Sequence, residues 1–316
     1  MIQWGINALN HGSSLAVFKD GLFQSNTVAT DDEIPSEVIR KALDHGSPDR
    51  IFWYENPWLK KARQVYAKQY ATAMDMSSLP SRYLKKARLN YAPITYTPHH
   101  ASHAAAGYYT SPFNHCAVVV LDAIGEFECA TIWEAKHGEM KKVWSAKYPH
   151  SLGLYYSAFT KMLGLTPIRD EYVLQQMAEQ GDPTRFRRDI GNYFGADDLH
   201  LEYNFHRGVQ NWDIGGWTVQ DQCNLAAAVQ ERFEIQIARI MYRAKQLTNA
   251  DCLVYMGGCA MNSAANKKEV EPKFKYIWSL PNPGDPSSSI GAVAYHTRQR
   301  IWRTDWAPVK HIAINV

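Results

Sequence analysis

At 316 residues, with 46% apolar and 21% charged side chains and a formal charge of +3, the chain has the balance of a folded globular protein and can bury a large core, expected as two lobes of about 100–200 residues each. No apolar run reaches the ~18 residues of a membrane span and no N-terminal signal pattern is present, so a cytoplasmic protein without a membrane partner is expected. The five cysteines (Cys116, Cys129, Cys223, Cys252, Cys259) are scattered without a C-x-x-C pair, which excludes a disulfide scaffold and a thiolate zinc site and leaves reduced core thiols.

In chain order, Ile2 to Leu9 alternates apolar and polar residues, breaks at Asn10-His11-Gly12-Ser13-Ser14, and alternates again over Leu15 to Phe18. This predicts strand, glycine-containing turn, strand. A short helix over Pro35 to Leu43 and a strand over Arg50 to Tyr54 follow. Residues 58–91 then carry eight cations (Lys60, Lys61, Arg63, Lys68, Arg82, Lys85, Lys86, Arg88) against the single carboxylate of Asp75, so the rest of the chain is net acidic. Trp58, Tyr66, Tyr70, Tyr83 and Tyr91 are interleaved with them. Leu59, Ala62, Tyr66, Tyr70 and Ala73 follow helical spacing, which predicts a buried face on an amphipathic helix pair. Clustered cations beside aromatics also suit phosphates and bases, so a nucleic-acid surface competes with a merely solvated one.

The segment Thr97-Pro98-His99-His100-Ala101-Ser102-His103 comes next. If its C-terminal part is helical, His99 and His103 lie one turn apart on one face, the spacing by which two imidazoles grip a divalent metal, though such pairs also simply pack. Cys116 to Leu121 reads as a buried strand that delivers Asp122 at its C-terminal end, where α/β sites collect ligands. After the loop Asp122 to Glu126 come strands at Cys129 to Glu134 and Val143 to Ala146, so this second half opens with the same meander as the first. Helices are expected over Gly153–Leu163 and Asp221–Gln246, the latter with Leu225, Val229, Phe233, Ile237 and Met241 on one face. Leu253 to Met256 is a strand running into Gly257-Gly258 and then Asn262 and a helix, a corner where backbone can approach an anionic ligand. A further strand, Tyr276 to Trp278, leads to a loop that can bring Asp285 to the same cleft. Ser289 to Arg300 is expected as a helix packing back on a sheet.

These motifs, in this order over residues 2–296, resemble the O-carbamoyltransferases of nodulation-factor and antibiotic biosynthesis. The residues that carry the likeness are Asn10 to Ser14, His99 to Ala105, Asp122 to Glu126, the long run Pro149-His150-Ser151-Leu152-Gly153-Leu154-Tyr155-Tyr156-Ser157-Ala158-Phe159-Thr160, Asn224 to Gln230, Gly257 to Asn262 and Gly284-Asp285. The resemblance implies a duplicated, two-lobed α/β fold of the actin/hexokinase (ASKHA) type with a central cleft, related to the tRNA threonylcarbamoyl-transfer proteins. The lobes are expected at 1–114, with 58–91 as a basic helical insertion, and at 115–316.

The same resemblance implies an iron-type divalent metal, Fe²⁺ or alternatively Mn²⁺, on His99, His103, Asp122 and Asp285, a donor set that suits those ions. His11 is implied as the base that takes a proton from the acceptor hydroxyl, a task for which imidazoles are suited near neutrality. Gly257, Gly258 and Asn262 are implied to line the nucleotide, and Glu126 to form a polar wall beside it. Donors are carbamoyl adenylate, made with ATP, and ultimately carbamoyl phosphate. Longer family members continue into a domain that makes carbamoyl adenylate; the chain is expected to lack it and to depend on a separate adenylate-forming protein or to use the donor alone. One family position departs: Val173 stands where the pattern after the central helix has lysine. The expected activity is metal-dependent O-carbamoyl transfer in the cytoplasm of a bacterial or phage-infected cell. The basic segment favours a hydroxymethylated pyrimidine of the 5-hydroxymethylcytosine type in DNA as acceptor. A sugar, antibiotic or other small-molecule hydroxyl, and a non-catalytic nucleotide-binding subunit, are the alternatives.

Overall fold

The computed structural model describes residues 1–89, 92–196, 199–209, 212 and 215–301. Tyr91 and the end of the expected C-terminal lobe, residues 302–316, lie outside them. The alternating N-terminal residues form β1 (Ile2–Asn7), β2 (Ser13–Lys19) and β3 (Leu22–Ala29), followed by α1 (Ser36–Leu43) and β4 (Arg50–Trp53). The basic segment folds as three helices and a 3-10 turn at Met76–Ser78, not as a pair: α2 (Pro57–Tyr66), α3 (Tyr70–Met74) and α4 (Pro80–Lys86). β5 (Ile94–Tyr96) and α5 (His99–Thr110) close this half.

The second half begins with β6 (His115–Gly125), β7 (Glu128–Lys136) and β8 (Glu139–Lys147). Helices α6 (Leu152–Met162), α7 (Glu171–Glu179), α8 (Arg187–Gly191) and the long α9 (Val219–Thr248) follow. A complete capping box between Thr218 and Asp221 starts α9, and Asn249, in the left-handed region, ends it. β9 (Cys252–Met256), α10 (Ser263–Ala265), β10 (Tyr276–Trp278) and α11 (Ser288–Thr297) complete the order.

Each half makes one five-stranded sheet, in the orders β3-β2-β1-β4-β5 and β10-β9-β6-β7-β8. Read from the meander, the two orders are the same. In both sheets the first three strands pair antiparallel, and the first strand then pairs parallel with the fourth and the fourth with the fifth. This duplicated topology is the α/β arrangement of the actin/hexokinase-like fold.

Two helices lie between the sheets, and each crosses to the other half. α5, from the first half, packs on the second sheet: a Cβ on Gly107 would fall 2.4 Å from Val254 Cγ1 and 2.7 Å from Met256 Cγ. α11, from the second half, packs on β1, where a Cβ on Gly5 would fall 1.8 Å from the Ser289 carbonyl oxygen. The helices meet at Gly291, where a Cβ would lie 1.7 Å from the Ser102 carbonyl. Such close backbone contacts leave no room for a methyl group without shifting an element. One continuous core, with Trp4, Ile6, Ala104, Tyr108, Val118, Val254 and Val293 in it, therefore runs from sheet to sheet. Among the described residues, no helix is long and apolar enough to cross a membrane.

Candidate metal centre

Pro98, which fixes φ, opens α5, so His99 and His103 sit one turn apart at the start of the helix, both buried. Asp122 stands where the pairing of β6 with β7 breaks into a bulge between Leu121 and Gly125. Asp285 begins the 3-10 turn that leads into α11. Three separate stretches thus meet at the junction of the lobes.

Four donor atoms converge there, all within 4.8 Å of one another. His99 Nε2 lies 3.1 Å from His103 Nε2 and 3.0 Å from Asp122 Oδ2. Asp285 Oδ1 is 3.4 Å from His99 Nε2 and 3.2 Å from His103 Nε2, which is 3.5 Å from Asp122 Oδ2. With five edges of this size and the Asp122–Asp285 edge reaching at most 4.8 Å, a point equidistant from the four atoms lies about 2–2.4 Å from each, near the length of a metal–imidazole or metal–carboxylate bond. Two imidazoles and two carboxylates in that arrangement fit a divalent ion of the Fe²⁺ or Mn²⁺ kind.

Three of the four side chains are held from behind. Gly258 N–H donates to Asp122 Oδ1 at 3.3 Å, Asn10 Nδ2 donates to Asp285 Oδ2 at 3.0 Å, and Ser288 Oγ lies 3.3 Å from His103 Nδ1. Burial opposes charge on every member, yet opposite charges prevail. Asp285 and Asp122 raise both histidines above the ordinary imidazole value, and the histidines hold both carboxyls below the ordinary carboxylate range. His100, on the same turn, faces away to Thr131 Oγ1 at 3.1 Å, and burial lowers it.

The Pro149–Thr160 run buttresses this centre from the second lobe. Ser151 Oγ caps α6 by accepting Leu154 N–H at 3.0 Å and donates to the Ala123 carbonyl at 2.6 Å. A Cβ on Gly153 would fall 2.7 Å from Ala123 Cα, so the loop carrying Asp122 rests directly on the helix start.

A family model described as carbamoyltransferase N-terminus matches residues 52–294. The chain belongs to that family. Among curated relatives of this family member, an uncharacterized protein of Synechocystis sp. is 28% identical over 91% of this chain and 55% of its own length. The nodulation protein NolNO of Sinorhizobium fredii is 24% identical over 78% of this chain and 36% of its own. The chain thus spans about half, or less, of the length of these relatives. Among solved structures, the activator of 2-hydroxyisocaproyl-CoA dehydratase from Clostridium difficile aligns over 94% of both chains with a TM-score of 0.49 and 12% identity.

The remaining family positions fall in different places. His11 is exposed in the β1–β2 turn, next to Asn10 at the centre; Asp32 pins that turn by accepting Gly12 N–H at 3.1 Å through Oδ1 and Leu9 N–H at 2.7 Å through its carbonyl. Gly257, with φ of +92°, turns the chain over β6 so closely that a Cβ would lie 2.2 Å from the Leu121 carbonyl. Its neighbour Gly258 borders Asp122. Asn262, expected against a nucleotide, is buried: its side chain caps α10 and makes a two-way amide pair with Gln230 at 3.0 and 3.1 Å. Glu126, expected as a polar wall, turns its carboxylate inward; Asn56 N–H donates to it at 2.7 Å and His99 N–H at 3.1 Å, and burial raises it to about 7.

The eight cations divide. Arg63 is buried, donating through Nε to the Glu126 carbonyl and through Nη1 to Gln69, so it is a strut and not a surface contact. Lys61 ties off the end of α3 by donating to the Ala73 and Asp75 carbonyls, while Lys60 and Lys86 pair with Glu55 and Glu33. Lys68, Lys85 and Arg88 are exposed without an ion pair among the described residues, and exposed Arg82 faces Asp75 through space. The expected apolar face is also reversed. Leu59, Tyr66 and Tyr70 are 47%, 66% and 57% exposed, Ala62 is exposed, and only Ala73 of that set is buried. What α2 buries is Pro57, Arg63 and Gln64.

The spacing of motifs missed Asn10, Tyr54 and Ser288 as neighbours of the centre. The Tyr54 ring lies 5.3 Å from that of His99, and its hydroxyl is buried without a partner among the described residues. Its place at the end of a central strand was the available signal.

Proposed function

We propose that the chain transfers a carbamoyl group from a carbamoyl phosphoanhydride, carbamoyl adenylate derived from ATP and carbamoyl phosphate, to an acceptor hydroxyl. The observation that carries this reading is the convergence of His99, His103, Asp122 and Asp285 at the lobe junction of a carbamoyltransferase-family chain, with the His11 turn beside them. An iron(II)-type ion held by those four side chains would act as a Lewis acid on phosphate or carbamoyl oxygens of the donor. His11 takes the proton of the acceptor hydroxyl as its oxygen attacks the carbamoyl carbon. The new C–O bond forms, the bond from that carbon to the phosphate oxygen breaks, and the nucleotide leaves with the electron pair. Gly257 lets the chain turn closely over β6, and Gly258, beside it, places its N–H on Asp122 Oδ1.

The favoured acceptor is a hydroxymethylated pyrimidine in DNA. Lys68, Arg82, Lys85 and Arg88 supply cations for phosphates, and exposed Trp58, Tyr66 and Tyr70 supply stacking surfaces. The base must be flipped out or single-stranded to reach a cleft of this kind. A second reading, a sugar or other small-molecule hydroxyl, is favoured by the use of Lys60, Lys61 and Arg63 within the fold and the surface pairing of exposed Lys86 with Glu33, which leaves fewer cations free for a polyanion.

The test supplies Fe²⁺ and either carbamoyl phosphate with ATP or preformed carbamoyl adenylate. Hydroxymethylcytosine DNA is offered beside sugars and nucleosides, and mass spectrometry looks for a gained carbamoyl group. A carbamoylated base supports the favoured reading. Carbamoylated sugars with untouched DNA support the second. Activity only with preformed carbamoyl adenylate would point to a separate adenylate-forming partner. No transfer from either donor to any acceptor would overturn both readings in favour of a nucleotide-binding subunit.

A further inference from the structure

Glu126 stands one step behind the four ligand atoms, in the left-handed region at φ of +49° and only 5% exposed. Both of its oxygens lie 3.1 Å from His99 N, and Oε1 also accepts Asn56 N–H at 2.7 Å. Pro98 offers no side chain to cap α5. The Glu126 carboxylate, reaching over from the second sheet, does so instead, where a negative charge is favoured by the helix dipole. The same residue accepts Arg63 Nε–H through its carbonyl at 3.2 Å, while Asn56 caps α2 through its own side chain on the Trp58 and Leu59 amides. One loop residue therefore ties the first turn of the histidine helix to the first turn of α2.

Two independent observations point from this strap to the ligand His99. Its Nδ1 is fully buried and has no partner among the described residues. A histidine that binds metal through Nε2 nearly always donates its other N–H to a carboxylate or carbonyl, which fixes the ring and its tautomer. The loop also presses on the ring itself: a Cβ on Gly125 would lie 2.3 Å from His99 Cδ2.

We propose that Glu126 is the positioning residue of the metal centre. It sets the start of α5 through the His99 main chain, and it is the acceptor for His99 Nδ1–H when Nε2 is a ligand. The inference rests on the metal reading above and assigns Glu126 to the metal, not to the nucleotide. Through Asn56 and Arg63 the strap makes α2 and the histidine helix one rigid piece.

The test uses the full chain and Co²⁺ alone as the probe, so that neither donor nor acceptor is needed. Glu126→Gln keeps the shape but sets an amide NH₂ against the His99 and Asn56 donors; Glu126→Ala removes the strap. Both should weaken Co²⁺ binding about ten- to a hundredfold and change the visible absorption of the bound ion, with Gln the milder. If the Ala variant fails to fold, the Gln variant carries the test, its metal-free melting curve reporting on the fold. Wild-type affinity and an unchanged Co²⁺ spectrum in Glu126→Gln would overturn the inference while leaving the metal reading intact. Failure of the unaltered chain to take up Co²⁺ would overturn both.

Discussion

At the lobe junction, polar side chains are buried and the ligand carboxylates and His103 each have a partner behind them. In the helices from Pro57 to Lys86, several large apolar side chains face solvent, and three of the cations, Lys60, Lys61 and Arg63, are tied into the fold. Both regions stand out in the sequence, one by its histidines and the other by its charge, yet only the first kept the arrangement its spacing implied. The difference is one of constraint. His99 and His103 sit on a helix wedged between two sheets, so their spacing translates into geometry. The cations of α2 lie on an edge where Lys61 can equally well cap a neighbouring helix and Arg63 can turn inward to the Glu126 carbonyl. A count of charges does not distinguish a strut from a contact.

The contrast can be broken most severely at the junction. Asp285→Ala removes one ligand and leaves Asn10 and two imidazoles without their carboxylate; metal affinity should fall by about two orders of magnitude or more and carbamoyl transfer become undetectable. Metal content after gel filtration, with the transfer assay, measures both. His11→Ala should lower kcat by about 10²–10⁴ while metal content stays at the wild-type level, because His11 is outside the ligand set. Loss of metal in that variant would instead place the His11 side chain, with Asn10, among the supports of the centre.

The division among the cations gives a smaller but sharper test. Arg63→Met strips the Glu126 carbonyl and Gln69 of a buried donor and should cost about 1–3 kcal/mol in urea unfolding. Lys85→Gln and Arg88→Gln should change stability by less than about 0.5 kcal/mol. If DNA is the acceptor, as proposed, each should reduce the salt dependence of its binding by about one power of the salt concentration. Equal destabilisation by all three would erase the distinction drawn between strut and contact.

The smallest expected effect is on pH. Because neighbouring Asp285 and Asp122 raise His99 and His103, the metal-free protein gains stability from these charge pairs fully below the ordinary imidazole value. That gain is lost as pH rises through the raised values. Metal must displace the same protons, so its affinity should rise with pH over that window. Melting temperatures of metal-free protein and Co²⁺ titrations across the window check the two opposite slopes.

Much of the fold was legible, because period-two alternation in Ile2–Asn7 and Ser13–Lys19 and the apolar run of β6 leave little choice of secondary structure. The convergence of His99, His103, Asp122 and Asp285 was legible in part, because the helical spacing of the histidines and the strand-end places of the two aspartates pointed to one cleft before the resemblance joined them into one set. Strand β3 was not, since Leu22 and Val28 point into solvent and the alternation carries no core face. The exchange of α5 and α11 between halves was also hidden: it depends on Gly5, Gly107 and Gly291 letting backbones touch, and a glycine announces freedom without saying what approaches it. Asn262 and Glu126 read as cleft polar residues, but their partners, Gln230 and the amides of Asn56 and His99, lie 32, 70 and 27 positions away.

The measurement that bears most directly on the central claim is an anomalous difference map at the iron edge from crystals grown with Fe²⁺ under exclusion of oxygen. The account predicts one peak equidistant, at about 2 Å, from His99 Nε2, His103 Nε2 and the nearer oxygens of Asp122 and Asp285. No peak at that point, or a peak bound elsewhere while these four side chains keep their mutual contacts, would contradict it.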